Sequence, residues 1–323
     1  MNKLIDKYNR SVNYLRISVT DRCNLRCKYC MPDGNINLIK DKEILNFDEI
    51  VKIVKTAAKL GVNKVRLTGG EPLVRNNIDK LIKKIKSIKN IDEISLTTNG
   101  ILLKKLAKDL KLAGLDRVNV SLDTLDCNKF KEITGFDKFD NVISGIKEAK
   151  KVGLTPIKIN TVIMKGVNDL EIDEFINMAI KHKLIIRFIE FMPSGDKVKL
   201  QNSHYVSNEK LFEKINKKYI LNLKDTFKKS PSKTYKIKGK KAKVGFISPI
   251  SNHFCSNCNR LRLTSSGKLR PCLSSDKEIN LNPYINDNET LEKLFFKAIK
   301  LKPKNHNLMK NNDFFVGMSQ IGG

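Results

Sequence analysis

Apolar and polar positions alternate from Tyr14 onward: Leu15, Ile17 and Val19 point one way, Arg16 and Ser18 the other. That period of two predicts a short, half-buried strand. The period then lengthens. Across residues 46–60, Ile50, Ile53, Val54 and Ala57 fall on one helical face, Asn46 and Glu49 have capping-box spacing, and Gly61 marks the stop. The exchange of periods recurs, with strands predicted at 64–68, 93–98, 117–123, 156–164 and 184–191. Helices are predicted at 76–88, 103–113 and 170–182, with further helical stretches ending near Val152. Enough chain separates successive strands for crossover helices, so the sheet is expected to be parallel. Six strands are two short of a closed eightfold barrel. The expected fold is α/β, a partial (β/α)6 TIM-like barrel.

Past Pro193 the alternation stops. A polar loop is predicted at 195–203, a helix at 207–219, and short strands at 233–238 and 243–247. A hairpin should pair 260–264 with 268–273 about Gly267, and a last helix should span 289–301. The chain is therefore read as a barrel core, 1–193, and a C-terminal α+β segment, 194–323, that covers the open side of the sheet.

Charge changes this picture little. The 323 residues carry 62 Lys+Arg against 34 Asp+Glu, a net +28, but only 11 of the basic residues are Arg and 51 are Lys. Lysines on helix faces, as in Ile82-Lys83-Lys84-Ile85-Lys86, read as a solvated exterior with buried apolar stems. There is no Trp, and the basic residues form no stripe with stacking aromatics, which argues against a nucleic-acid surface. No apolar run of eighteen residues occurs and the N-terminal residues contain no signal-peptide pattern, so a cytoplasmic protein is expected. Seven cysteines in a reducing compartment favour metal ligation or catalysis over disulfides.

Three of them, Cys23, Cys27 and Cys30, follow the first strand on one loop. Zinc in a closed structural site wants four ligands. Three thiolates suit a cubane iron–sulfur cluster with one open iron. A zinc ion completed by a distant ligand, or three unrelated core thiols, are the competing readings. Cys-x3-Cys-x2-Cys just after a first strand, with Tyr29 before the last cysteine, resembles the radical S-adenosylmethionine enzymes. The resemblance implies that the open iron chelates S-adenosylmethionine and that an electron from the cluster cleaves it to a 5′-deoxyadenosyl radical. Gly69-Gly70-Glu71-Pro72, placed after the second strand, resembles that family's motif for the amino group of S-adenosylmethionine.

A second triad, Cys255-x2-Cys258 followed by Cys272, points to a second cluster, with zinc completed by His253 as the alternative. Cys127 is left over and reads as structural. Between Cys258 and Cys272, Arg260 and Arg262 share one face of an extended segment, and a guanidinium suits phosphate oxygens. Arg16, Arg66 and Arg187 could extend an anion pocket inside the barrel. No Walker-type sequence is present, so a nucleoside triphosphate would be held by side chains.

With both triads, the Asn259-Arg260-Leu261-Arg262-Leu263-Thr264 segment and the terminal Gly322-Gly323, the chain is similar to the GTP 3′,8-cyclase family from about Arg10 to its end. The resemblance implies two [4Fe-4S] clusters, hydrogen abstraction from C3′ of GTP, and attack on guanine C8 in the first step of molybdenum cofactor biosynthesis. It assigns Tyr29, Gly70, Ser121 and Met192 to S-adenosylmethionine. It assigns Arg16, Arg66, Thr97, Lys158, Arg187, Arg260, Leu261 and Arg262 to GTP, and Gly322 and Gly323 to a tail that enters the active site. A flavodoxin- or ferredoxin-type electron donor and a homodimer are family expectations. Asp123 and Glu190 are given no catalytic role. The two clusters are expected to face each other across the mouth of the open barrel. A peptide-modifying radical enzyme with an auxiliary cluster and a zinc-containing nucleic-acid binder are the alternatives.

Overall fold

The computed structural model describes residues 3–31, 38–192, 203–223 and 230–306. Its core alternates strands and helices in sequence order. These are β1 (Tyr14–Ser18), α1 (Phe47–Lys59), β2 (Lys64–Thr68), α2 (Ile78–Lys86), β3 (Glu93–Thr98), α3 (Leu103–Leu112) and β4 (Arg117–Ser121). Then come α4 (Cys127–Thr134), α5 (Phe139–Lys151), β5 (Lys158–Ile163), α6 (Ile172–His182) and β6 (Ile185–Glu190). Strands β1 to β6 lie side by side and parallel, as their long connections require. At α1 the capping box forms in full. The Asn46 side chain accepts from the Glu49 backbone N–H at 3.0 Å, and the Glu49 carboxylate accepts from Asn46 N–H at 2.7 Å.

The C-terminal segment contributes α7 (Asn208–Lys218), β7 (Leu221–Leu223), β8 (Lys233–Ile237), β9 (Lys243–Ile247), β10 (Arg260–Leu263), β11 (Lys268–Arg270), β12 (Ile279–Asn280) and α8 (Asn288–Lys300). It does more than cover the barrel. Strand β9 pairs parallel with β6 and β10 pairs parallel with β1, so eight parallel strands run in the order β10-β1-β2-β3-β4-β5-β6-β9. Antiparallel strands, β8-β7 on one side and β11-β12 on the other, extend both edges. No helix of the described residues is long and apolar enough to cross a membrane. The loop predicted at 195–203 falls outside the described residues except for Ser203.

Apolar side chains of the sheet point outward to the helices: Leu15, Ile17, Val65, Leu67, Ile94, Leu96, Val118, Val120, Ile159, Ile186, Leu261 and Leu263 are fully buried there. The residues between them face inward and are polar. A closed barrel of this type fills its interior with branched apolar layers. Here the interior is a lumen.

Glu190 ties the C-terminal segment to the sheet. Its buried carboxylate accepts from the backbone N–H groups of Asn208, Ile250 and Ser251 at 3.0, 2.9 and 3.0 Å, and from the Ser251 hydroxyl. These bonds satisfy the carboxylate, which is consistent with a structural role.

Candidate functional site

A cavity of about 1270 Å³ runs along the lumen, and all six cysteines of the two triads line it. Cys23 and its partners sit on the loop beyond β1, at the carboxyl end of the strands. Cys258 lies two residues before β10, and Cys272 two residues after β11, which is antiparallel to β10. Because β10 is parallel to β1, with Tyr14 opposite Arg260, the second triad lies at the amino end of the strands. The triads share one cavity but occupy its opposite ends instead of facing across one mouth. A five-residue strand separates them, roughly 15 Å. The reason is the polar lumen: an unfilled barrel is accessible along its whole length, so reactive groups need not gather at one rim.

Strand register explains what lies between. Arg262 is opposite Arg16, Arg16 opposite Arg66, Arg66 opposite Ser95, and Ser95 opposite Arg117. Like charges side by side on one face of a sheet repel. Burial lowers the Arg16 guanidinium well below its usual value, and Arg262 and Arg66 lower it further. Lys158, opposite Asn119, is pushed down to about 6 by burial and then by Arg187, Arg117 and Arg66. Arg187 falls to about 9, by burial and then Arg66 and Arg117, and Gly245 opposite it leaves room for its side chain. Arg117 pairs with Glu93. Among the described residues Arg66 finds the Ser95 hydroxyl at 3.2 Å and the Tyr14 ring at 5.4 Å, and Arg187 Nε has no hydrogen-bond partner. Six of the eleven arginines line the cavity, against three of the 51 lysines. Such a wall suits a strongly anionic occupant.

Predicted site residues converge on this cavity: Tyr29, Gly70, Ser121 and Met192 toward the first triad's loop and strand ends, and Arg16, Arg66, Thr97, Lys158, Arg187, Arg260 and Arg262 along the strands. Leu261 does not. Strand alternation turns its side chain away from Arg260 and Arg262 into the core, where it is 0% exposed. Gly322 and Gly323 lie outside the described residues. Cys127 is exposed in the first turn of α4 and so is not part of the core. Sequence reasoning missed Arg117 and Lys302. Arg117 sat in a predicted strand with alternating neighbours, and that inward parity was the available signal.

The donor set fits iron–sulfur clusters. Burial raises the Cys27 thiol well above its usual value, and Asp123, Cys30 and Cys23 add to the shift, so burying these thiolates calls for a compensating metal centre. Cys255 is raised by burial, with Cys272 and Cys258 adding to it through their charge. Burial would also raise Cys258, but Arg260 and Lys302 outweigh it and hold the thiol at about 6. His253 is exposed and lies edge-on to His306, with ring centroids 5.3 Å apart, and it does not line the cavity.

Two devices hold the first triad's loop. Tyr29 donates its hydroxyl proton to Asp123 at 2.6 Å, and Asp123, raised to about 6 by burial, also accepts from Val162 N–H. The glycine pair packs on the loop's backbone: Gly70 N–H donates to Thr20 O and Glu71 N–H to Arg22 O, both at 2.8 Å. A Cβ on Gly70 would stand 2.3 Å from Arg22 O, and one on Gly69 would stand 2.4 Å from Thr20 O. The close approach that needs glycine is therefore to the segment entering Cys23. Gly70→Ala is expected to displace that segment. Iron bound at the first triad should fall by more than half, and thermal stability by about 2 kcal/mol or more. Wild-type iron content in that variant would contradict this.

Two family descriptions match the chain: the Radical SAM superfamily over residues 17–179 and Molybdenum Cofactor Synthesis C over residues 184–308. A GTP 3′,8-cyclase from Petrotoga mobilis is 49% identical over 99% of this chain and 100% of its own. One from Clostridium botulinum is 48% identical over 99% and 100%. Among solved structures, Streptococcus suis SuiB bound to S-adenosylmethionine shares the fold at 18% identity. Its TM-score is 0.63, over 91% of this chain and 69% of that one.

Proposed function

The chain belongs to the GTP 3′,8-cyclase family of the radical S-adenosylmethionine superfamily, and from that premise we propose which of its residues carry the reaction. The enzyme converts GTP to 3′,8-cyclo-7,8-dihydro-GTP in molybdenum cofactor biosynthesis, using two [4Fe-4S] clusters and S-adenosylmethionine. When bound, the first cluster with S-adenosylmethionine supplies radical chemistry at C3′ of GTP.

Cys23, Cys27 and Cys30 hold the first cluster and Cys255, Cys258 and Cys272 the second. Tyr29, Gly70, Ser121 and Met192 line the S-adenosylmethionine site. Arg16, Arg66, Arg187, Arg260 and Arg262, with Thr97, Lys158 and Arg117, orient GTP and take up its phosphate charge. The observation that supports this assignment best is the single lumen with a cysteine triad at each end and guanidinium groups between. A nucleotide held by its phosphates along the strands can present base and ribose to groups at the two ends, and enclosure excludes quenching water. No carboxylate is needed as a base for the abstraction. Glu71 and Asp123 serve the loops instead: Glu71, raised to about 7 by burial, accepts from Leu73 and Asn99 N–H and from the Thr98 hydroxyl. Reducing equivalents come from a flavodoxin- or ferredoxin-type donor, and the protein works as a cytoplasmic homodimer, which light scattering checks. Anaerobic incubation with GTP, S-adenosylmethionine and reductant should yield 5′-deoxyadenosine in step with GTP loss. Its absence with both clusters intact would refute the reading.

Lys158 gives GTP binding a pH signature. At about 6 it is largely neutral at pH 7.5 in the free protein. A triphosphate beside it favours the charged form and raises that value, so binding takes up protons between the free and bound values. Affinity should weaken as pH rises from 6.5 to 8. Calorimetry in buffers of different ionisation enthalpy should find roughly one proton taken up near pH 7.5. Lys158→Met should remove that uptake; equal uptake in both proteins would exclude Lys158 as its source.

A further inference from the structure

Two residues past the end of α8, a lysine sits at the amino end of the lumen. Lys302 is 2% exposed, an unusual place for an ammonium. Its Nζ donates to Arg260 O at 2.8 Å, to Pro271 O at 2.8 Å and to Cys258 Sγ at 3.5 Å. An ammonium has three protons, and here each has one acceptor. Those acceptors are the second cysteine of the triad, a carbonyl two residues beyond it, and the carbonyl preceding Cys272. Arg10 completes the circuit from outside. Its Nη1 donates to Cys255 O at 2.8 Å and Lys304 O at 3.0 Å, its Nη2 to Pro303 O at 2.6 Å, and Asp6 holds its Nε at 2.6 Å. The strap 302–304 therefore reaches all three cysteine positions of the second triad, through a side chain on one side and two carbonyls on the other.

We propose that Lys302 is a positioning residue for the second cluster: it fastens the two segments that carry Cys258 and Cys272 and donates a hydrogen bond to the Cys258 sulfur, raising the cluster's reduction potential. This rests on reading Cys255, Cys258 and Cys272 as that cluster's ligands. A hydrogen bond to a ligating sulfur withdraws electron density and favours the reduced state. The two carbonyl bonds fix where the sulfurs stand before metal arrives. Arginine could not make this set of bonds, because its planar fork cannot serve three acceptors around one nitrogen.

The test uses the full chain with Cys23, Cys27 and Cys30 replaced by alanine, so that only the second centre is observed. In that background Lys302→Met should release iron to a ferrous chelator roughly tenfold faster than its parent. Its midpoint potential in an anaerobic redox titration should shift negative. Lys302→Gln, which keeps two N–H donors, should fall between in both readouts, and it carries the test if Lys302→Met does not fold. A parent protein that takes up no iron would overturn the cluster reading itself. A parent that holds iron, with variants matching it in release rate and potential, would overturn the role of Lys302 alone.

Discussion

Cys27→Ala is expected to abolish 5′-deoxyadenosine formation from S-adenosylmethionine while sparing the other end of the lumen. Iron should fall from about eight to about four atoms per chain as one of two four-iron clusters is lost. Cys27 is a sharp probe because burial and the neighbouring Asp123, Cys30 and Cys23 raise its thiol well above its usual value, so its thiolate depends on bound metal. GTP affinity should stay within roughly threefold of wild type, since the groups expected to bind the phosphates lie on the strands and not on the loop. Metal analysis, product chromatography and calorimetry on one preparation read all three. Retained 5′-deoxyadenosine, or loss of all the iron, would show that the two triads do not work as independent sites.

Arg262→Ala should have the next largest effect, on substrate binding. Arg262 sits opposite Arg16 with its guanidinium buried, lowered to about 10 by burial and then by Arg260's charge. Removing a buried cation from a phosphate costs about 2 to 3 kcal/mol, which is roughly 30- to 150-fold in the dissociation constant for GTP. Repulsion within the arginine row predicts the opposite sign for the ligand-free fold, whose melting temperature should be unchanged or higher. Cluster content and S-adenosylmethionine binding should not change. An unchanged GTP affinity, or a drop in ligand-free stability without one, would assign Arg262 to the scaffold.

The barrel core was legible because each of its signals is local. Alternation at Leu15, Ile17 and Val19, the Asn46–Glu49 box and the turn glycines fix elements within a few residues, and long connections then require parallel pairing. Strands β9 and β10 were visible as strands, but their partners were not. The β10–β1 ladder joins residues some 246 positions apart in sequence, and nothing in either segment encodes the other. That missed pairing is also why the second triad was expected at the same mouth as the first. The inward parity of Arg260 and Arg262 was legible, and it carried its own correction for Leu261, which the same alternation turns into the core. The glycine pair was legible through its resemblance to an S-adenosylmethionine motif, whereas its tight packing on the backbone of Thr20 and Arg22 is a tertiary contact that no local signal carries. Lys302 was illegible because lysine is common here, and only tertiary placement separates its buried ammonium from the solvated lysines on the helix faces.

If one lumen holds a nucleotide with its ribose C3′ against the radical-generating end, hydrogen from C3′ must pass to 5′-deoxyadenosine. Anaerobic turnover with GTP deuterated at C3′, followed by mass spectrometry of the 5′-deoxyadenosine formed, tests it most directly. The label is expected to appear in the 5′-deoxyadenosine. Unlabelled 5′-deoxyadenosine formed alongside cyclised product would contradict it.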